Sequence, residues 1–218
     1  MKRSTTLGAL AVTAALALAG CTAGSGESTG AASEPVTPTA AAGAGDTTTG
    51  TASGEPIAAE HGDDDVMFAQ MMIPHHEQAV RMSETLPAKD GVPADVRRFA
   101  QRVVDAQGPE IERMNRMLST WGAPATADDA DTAHGGHGSG MMTEEDMAAL
   151  EEAEGEEAAR LYLEQMIEHH RGAVDMAREE VSGGRNPQAV DLAQEIVDAQ
   201  EAEIAEMDGM LQELPDRP

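Results

Sequence analysis

Four histidines carry the chemistry this sequence can offer, and they stand as two neighbouring pairs. One pair closes Met71-Met72-Ile73-Pro74-His75-His76, and ninety-four positions on the other closes Gln165-Met166-Ile167-Glu168-His169-His170. The chain has only seven histidines in all. In each copy a Met stands four residues before the second His (Met72, Met166), and another stands seven residues after the first (Met82, Met176). Such spacings gather side chains on one side of a helix. Imidazole is a versatile ligand and thioether sulfur a soft one, so the set suits reduced copper, Cu(I). Zinc rarely takes Met, and calcium wants oxygen ligands that are scarce at these positions.

The helices that carry the pairs must turn them inward. On a wheel of about 100° per residue, Phe68, Met72, Ala79 and Leu86 form the apolar side of the first helix, with His75 and His76 about 50° to either side of its centre. Gln70, Pro74, Glu77, Gln78, Arg81 and Glu84 fall opposite and are expected at the surface. The helix around the second pair repeats this, with Tyr162, Met166, Ala173 and Ala177 inside and Glu164, Glu168, Arg171, Asp175 and Arg178 outside.

Two further segments match each other. Ala100-Gln101, Val104-Asp105-Ala106-Gln107, Glu110-Ile111, Met114 and Met117-Leu118 recur as Ala193-Gln194, Val197-Asp198-Ala199-Gln200, Glu203-Ile204, Met207 and Met210-Leu211. Gln107 and Gln200 fall in the middle of apolar stripes, and Glu110 and Glu203 near their edges. Buried polar groups need partners, and the histidines of the facing helices are the candidates. The repeated unit is thus a helical hairpin that cannot bury its own stripe, whereas two can bury each other. The expected fold is all-α, a four-helix bundle with approximate two-fold symmetry.

Two other readings compete with copper. His–Glu and His–Gln pairs can simply satisfy one another in a structural envelope protein without metal, the methionines being ordinary packing. A ferritin-like di-metal redox enzyme, using iron or manganese, would need Glu-x-x-His on two helices. No Glu stands three residues before His75, His76, His169 or His170. Neither a nucleophile–base pair nor a phosphate loop is recognisable, so the chain reads as a binder rather than a catalyst.

Punctuation sets the boundaries. Acidic Asp63-Asp64-Asp65 opens the first helix, which runs to about Thr85 before Pro87 and Asp90-Gly91-Val92-Pro93. The second spans about Ala94 to Thr120, with a kink or break expected at Gly108-Pro109. A Gly/His-rich loop, 122–142, holds His134, His137 and Met141-Met142, which could collect copper flexibly or be plain linker. Thr143-Glu144-Glu145-Asp146 resembles a capping box before a short helix to about Glu152. The third long helix covers about Glu156 to Val181, and the fourth opens at Asn186-Pro187 and ends near Leu214. The bundle is therefore 61–214, with repeat one at 63–121 and repeat two at 143–214; His61 lies at its start, apart from the core set.

The chain has 218 residues and a formal net charge of −26. That charge repels nucleic acid and anionic lipid headgroups and concentrates cations. The one cysteine, Cys21, follows a basic start (Lys2, Arg3), an apolar run from Leu7 to Leu18, and Leu18-Ala19-Gly20. This is expected to be a lipoprotein signal peptide, 1–20, leaving a lipidated Cys21 as a membrane anchor outside the cytoplasm. Residues 21–60, poor in large apolar side chains, are expected to be a disordered tether.

Asp65-Val66-Met67-Phe68-Ala69-Gln70-Met71-Met72-Ile73-Pro74-His75-His76 and Met166-Ile167-Glu168-His169-His170-Arg171-Gly172-Ala173 resemble the bacterial family called domain of unknown function 305. The resemblance covers about Asp63 to Leu214, and it implies a ferritin-like four-helix bundle, usually exported. A cyanobacterial periplasmic relative binds copper through Met and His and supports copper resistance, which implies a similar role here. Carried over by motif are Met72, His75, His76, Met166, His169 and His170. Gln165 stands where the first repeat has Met71, so the two halves need not be equivalent.

Overall fold

The computed structural model describes residues 56–125 and 140–215. The expected signal peptide, the lipidated Cys21, His134 and His137 lie outside these. Among the described residues there are five α-helices and one 3-10 turn: α1 (Asp63–Glu84), the turn Leu86–Ala88, α2 (Ala94–Trp121), α3 (Glu144–Glu152), α4 (Gly155–Gly183) and α5 (Pro187–Glu213). The all-α bundle of two hairpins follows the sequence pattern. Helix α1 packs along α2, α4 along α5, and the hairpins join chiefly through α1 and α4. Among the described residues, no helix is long and apolar enough to cross a membrane.

Local chemistry sets the helix ends. The Asn186 side chain accepts from Gln188 N and Ala189 N and starts α5, with Pro187 at its first position. Thr143 and Asp146 form the capping box of α3. The expected break at Gly108-Pro109 does not occur, because α2 runs unbroken through Pro109. Pro109 lies on the exposed face. Gly108 has no Cβ to collide with the proline ring, which removes much of the usual bar to helix before proline.

Contacts at both ends hold α1 antiparallel to α4. At one end Asp65, fully buried, accepts from Gly62 N (2.6 Å), Asn186 N (2.8 Å) and Arg185 N (3.0 Å), tying the first turn of α1 to the α4–α5 turn. At the other, Asp90 O accepts from Gly155 N at 3.1 Å, and Lys89 Nζ donates to Glu151 O (2.6 Å) and Ala153 O (2.7 Å) at the end of α3. Gly155 has φ +58, a left-handed turn that favours glycine. Between the ends, Ser83 Oγ and Tyr162 OH share a buried hydrogen bond of 2.8 Å.

Glu180 is buried beside Asp65. Burial, then the Asp65 carboxyl and Asp64, push its pKa from 4.5 up to about 8. Burial also pushes Asp65 upward, but its backbone hydrogen bonds and that from Glu180 outweigh this and hold it below 3.8. A carboxyl raised on folding contributes stability that is whole below its unfolded pKa and is lost as pH climbs to the folded value. Glu180 should therefore weaken the fold as pH rises from about 4.5 to about 8. Asp65 acts oppositely, its contribution being lost as pH falls below 3.8. In urea unfolding series, Glu180→Gln should flatten the decline between pH 5 and 8 and be the more stable form at pH 8. Asp65→Ala should cost about 3 kcal/mol at neutral pH, by orphaning buried N–H groups.

Candidate metal centre

Each His pair lies mid-helix, within a turn of Pro74 in α1 and at the corresponding point of α4. Pro74 falls on the exposed side, so α1 continues through it and its inward face is kept. All four histidines are buried: His75 and His169 are 1% exposed, His76 and His170 0%. The inward orientation expected from the wheel is thus met.

Two of the rings reach the neighbouring helix of their own hairpin. His76 Nε2 donates to Glu110 Oε2 at 2.9 Å, and His170 Nε2 donates to Glu203 Oε2 at 2.7 Å. A carboxylate only accepts, so each bond places a ring proton on Nε2. Nδ1 of His76 and of His170 are buried with no hydrogen-bond partner. The other two rings meet across the hairpins: His75 and His169 have centroids 3.7 Å apart at 40°. Both ring nitrogens of His169 are buried and unpartnered. Burial, and then His75, His170 and His76, hold the His169 pKa well below its usual 6.5, so the ring is neutral near pH 7 with a lone pair to give.

The histidines belong to a polar layer that divides the apolar core. One cluster includes Ala79, Met82, Phe99, Val103, Tyr162 and Met166, and the other includes Phe68, Met72, Met114, Ala173, Leu192 and Val197. Gln107 lies between Val103 and Met114 on α2, and Gln200 between Val197 and Met207 on α5. Both are 3% exposed, and the side-chain oxygen of each has no partner. The methionines divide too, Met82 and Met166 on one side of the layer, Met72 and the partly buried Met176 on the other.

The structure therefore gathers His75, His76, His169, His170, Glu110 and Glu203 at one level of the bundle, as the repeat suggests. It does not gather His61, which stacks on Trp121 with centroids 5.0 Å apart at the bundle's start. Gln78, expected at the surface, is instead buried, because residues 140–142 cross over it. Gln78 Nε2 donates to Met142 O at 2.9 Å, and Gln78 Oε1 accepts from Met142 N at 2.7 Å. Gln165 is also buried, its Nε2 donating to Asp146 O at 3.0 Å. The signal for Gln165 is present in the sequence, since it breaks the repeat where Met71 stands.

Does this donor set fit a metal? Buried imidazoles, two of which (His76 and His170) carry an unpartnered Nδ1 opposite a carboxylate-held Nε2, match the usual surroundings of ligating histidine. The methionines add soft donors on both sides. Among the described residues, however, no group of three or more His, Cys, Asp or Glu side chains is arranged to hold a metal as it stands. A site here would draw on two imidazoles at a time, completed by thioether sulfur.

A family model described as domain of unknown function (DUF305) matches residues 65–211. Among solved structures, a DUF305 protein from Streptomyces coelicolor described as secreted is 34% identical, with TM-score 0.65, over 69% of this chain and 93% of that one. A DUF305 fragment from Deinococcus radiodurans is 30% identical, with TM-score 0.62, over 73% and 100%. CopM in its Cu(I)-bound form is 28% identical, with TM-score 0.54, over 68% and 96%. No curated protein matches the chain at a significant level.

The His–Glu bonds have a measurable worth without any metal. Glu203→Ala leaves the buried His170 Nε2–H without its acceptor, and Glu110→Ala does the same to His76. Each should lower the unfolding free energy of the metal-free chain by about 1–3 kcal/mol in urea melts, the two by similar amounts.

Proposed function

This chain belongs to the DUF305 family, and from that premise we propose that it is an extracytoplasmic protein that binds Cu(I), buffering or sequestering the ion as in copper resistance. In this reading Cys21 carries a lipid that anchors it to the membrane. Copper is the cargo, and no reaction is catalysed. His75, His76, His169 and His170 supply nitrogen donors, while Met72, Met82, Met166 and Met176 supply thioethers from above and below the layer. Glu110 and Glu203 orient His76 and His170 and balance charge, with Gln107 and Gln200 beside them.

The observation that carries this is the buried, unpartnered Nδ1 on both His76 and His170, each opposite an Nε2 held by carboxylate. Burying a polar atom without a partner costs stability, and a bound ion would recover it. Cu(I) is content with two or three soft donors, which a layer without a three-carboxylate-or-imidazole cluster can supply. Similarity to CopM, solved with Cu(I), with Cu(II) and with Ag bound, supports the same choice. The absence of Glu-x-x-His argues against the di-metal redox alternative.

The test is a Cu(I) competition titration of the full chain against a chromophoric chelator. Wild type should bind below micromolar, and the four-histidine→Ala variant should be weaker by at least ~100-fold. Cu(I) at a hundred times Kd should add about 2.7 kcal/mol to the unfolding free energy. Unchanged binding in the variant, or no stabilisation of the wild type, would sink the proposal and leave the layer a structural hydrogen-bond network.

A further inference from the structure

The four imidazoles are buried, so an ion must pass other side chains or a covering segment to reach them. Along the α1–α4 seam the cover is the segment 140–142, which crosses both helices within a turn of His75 and His169. Gln78, three residues after His75, grips Met142 through both of its backbone polar groups (2.7 and 2.9 Å). On α4, Gly140 lies against the backbone on either side of His169. A Cβ at Gly140 would stand 2.3 Å from Glu168 O and 3.2 Å from Gly172 Cα. Gly140 also has φ +72, so only glycine allows the segment to lie flush there. Gln165, four residues before His169, holds Asp146 O at 3.0 Å just beyond the crossing.

This cover is thin and chemically specific. It contains two adjacent methionines, Met141 and Met142, both partly exposed. Met142 packs against the apolar cluster that includes Met82 and Met166. At the rim of the layer Glu110 and Glu203 also reach solvent, with side chains 22% exposed. Those are hard oxygen donors already engaged with His76 and His170, a poor first contact for a soft ion. Methionine is flexible enough to bind and release such an ion without fixed geometry.

We propose that Gly140–Met142 is the entry to the imidazole layer, a strap over the α1–α4 seam whose Met141 and Met142 form an outer soft-donor site for a monovalent d10 cation bound for His75 and His169. The role of the two methionines rests on the copper reading above. The role of the strap as cover does not.

Two measurements on the full chain separate these parts. The first needs no metal: peptide-mapped carbethoxylation of His75 and His169 by diethyl pyrocarbonate. Gly140→Ala should lift the strap from α4, and Gln78→Ala should release Met142 from α1. Each should raise the labelling rate several-fold at unchanged helicity. Rates equal to wild type in both variants overturn the strap as entry. The second follows stopped-flow capture of Ag(I), a redox-stable d10 probe, from a weak chelator. Met141→Leu/Met142→Leu, which conserves volume, should capture Ag(I) several-fold more slowly than wild type with the same final occupancy. An unchanged rate overturns the outer donor site. If wild type takes up no Ag(I) while the strap variants still expose the histidines, the copper reading and the donor site fall, and the strap as cover stands.

Discussion

A polar layer across the middle of an apolar bundle is the constraint to which the rest of this structure answers. Four imidazoles and two glutamine side chains are taken out of water at one level, and each needs either a partner or a reason to lack one. His76 and His170 find carboxylate partners in Glu110 and Glu203. These carboxylates sit at the rim, where part of each side chain still meets solvent. The arrangement avoids burying a whole ion pair, whose desolvation would consume most of its Coulombic gain. The apolar core is consequently divided, and each half has to hold together by its own side chains. Phe99 and Tyr162 fill one half, Phe68 and Leu192 the other.

The layer exists only if α1 and α4 keep their register. A slip of one helical turn is about 5.4 Å, more than the separation of the His75 and His169 rings. The register is fixed at both ends by bonds that have nothing to do with the histidines. Asp65 gathers three backbone donors from both sides of one junction, and Lys89 and Asp90 close the other. At that first end Glu180 is buried beside Asp65, and burial, then its acidic neighbours, push its carboxyl upward. Symmetry is approximate for a local reason. Residues 140–142 lie along α1 and α4, where Gln78 holds Met142, and Gln165, which stands where the first repeat has Met71, holds Asp146 just beyond.

Much of this was legible in the residues. Proline, glycine and Asn186 mark helix ends by restricting backbone angles, and those effects are local enough to read along a chain. The inward turn of the histidines followed from spacing, because a helix wheel depends only on helical geometry. What escaped was whatever a loop decides. Gln78 looks like a surface residue until residues 140–142 are laid across it. Asp65 reads as one of three first-turn acids, and only the α4–α5 turn beside it explains its burial. Gly108-Pro109 resembles a break, yet the proline falls on the solvent side and glycine removes the usual clash. Met176 shares the spacing of Met82 but not its full burial. Its inward role therefore belongs to the functional proposal rather than to packing.

Electrostatics narrows what the layer can host. His169 resists protonation because it is buried and because three more imidazoles surround it, so any added positive charge meets the same penalty. That penalty grows steeply with charge, since the solvation lost by an ion scales with the square of its valence. Glu110 and Glu203 offset some of it, but from the rim and through the rings, where solvent screens them. A singly charged, weakly hydrated ion with an affinity for nitrogen and sulfur fits these terms better than a divalent ion. Burial and charge bear on the valence alone, while the methionines on both faces of the layer are the soft side chains nearest in the fold.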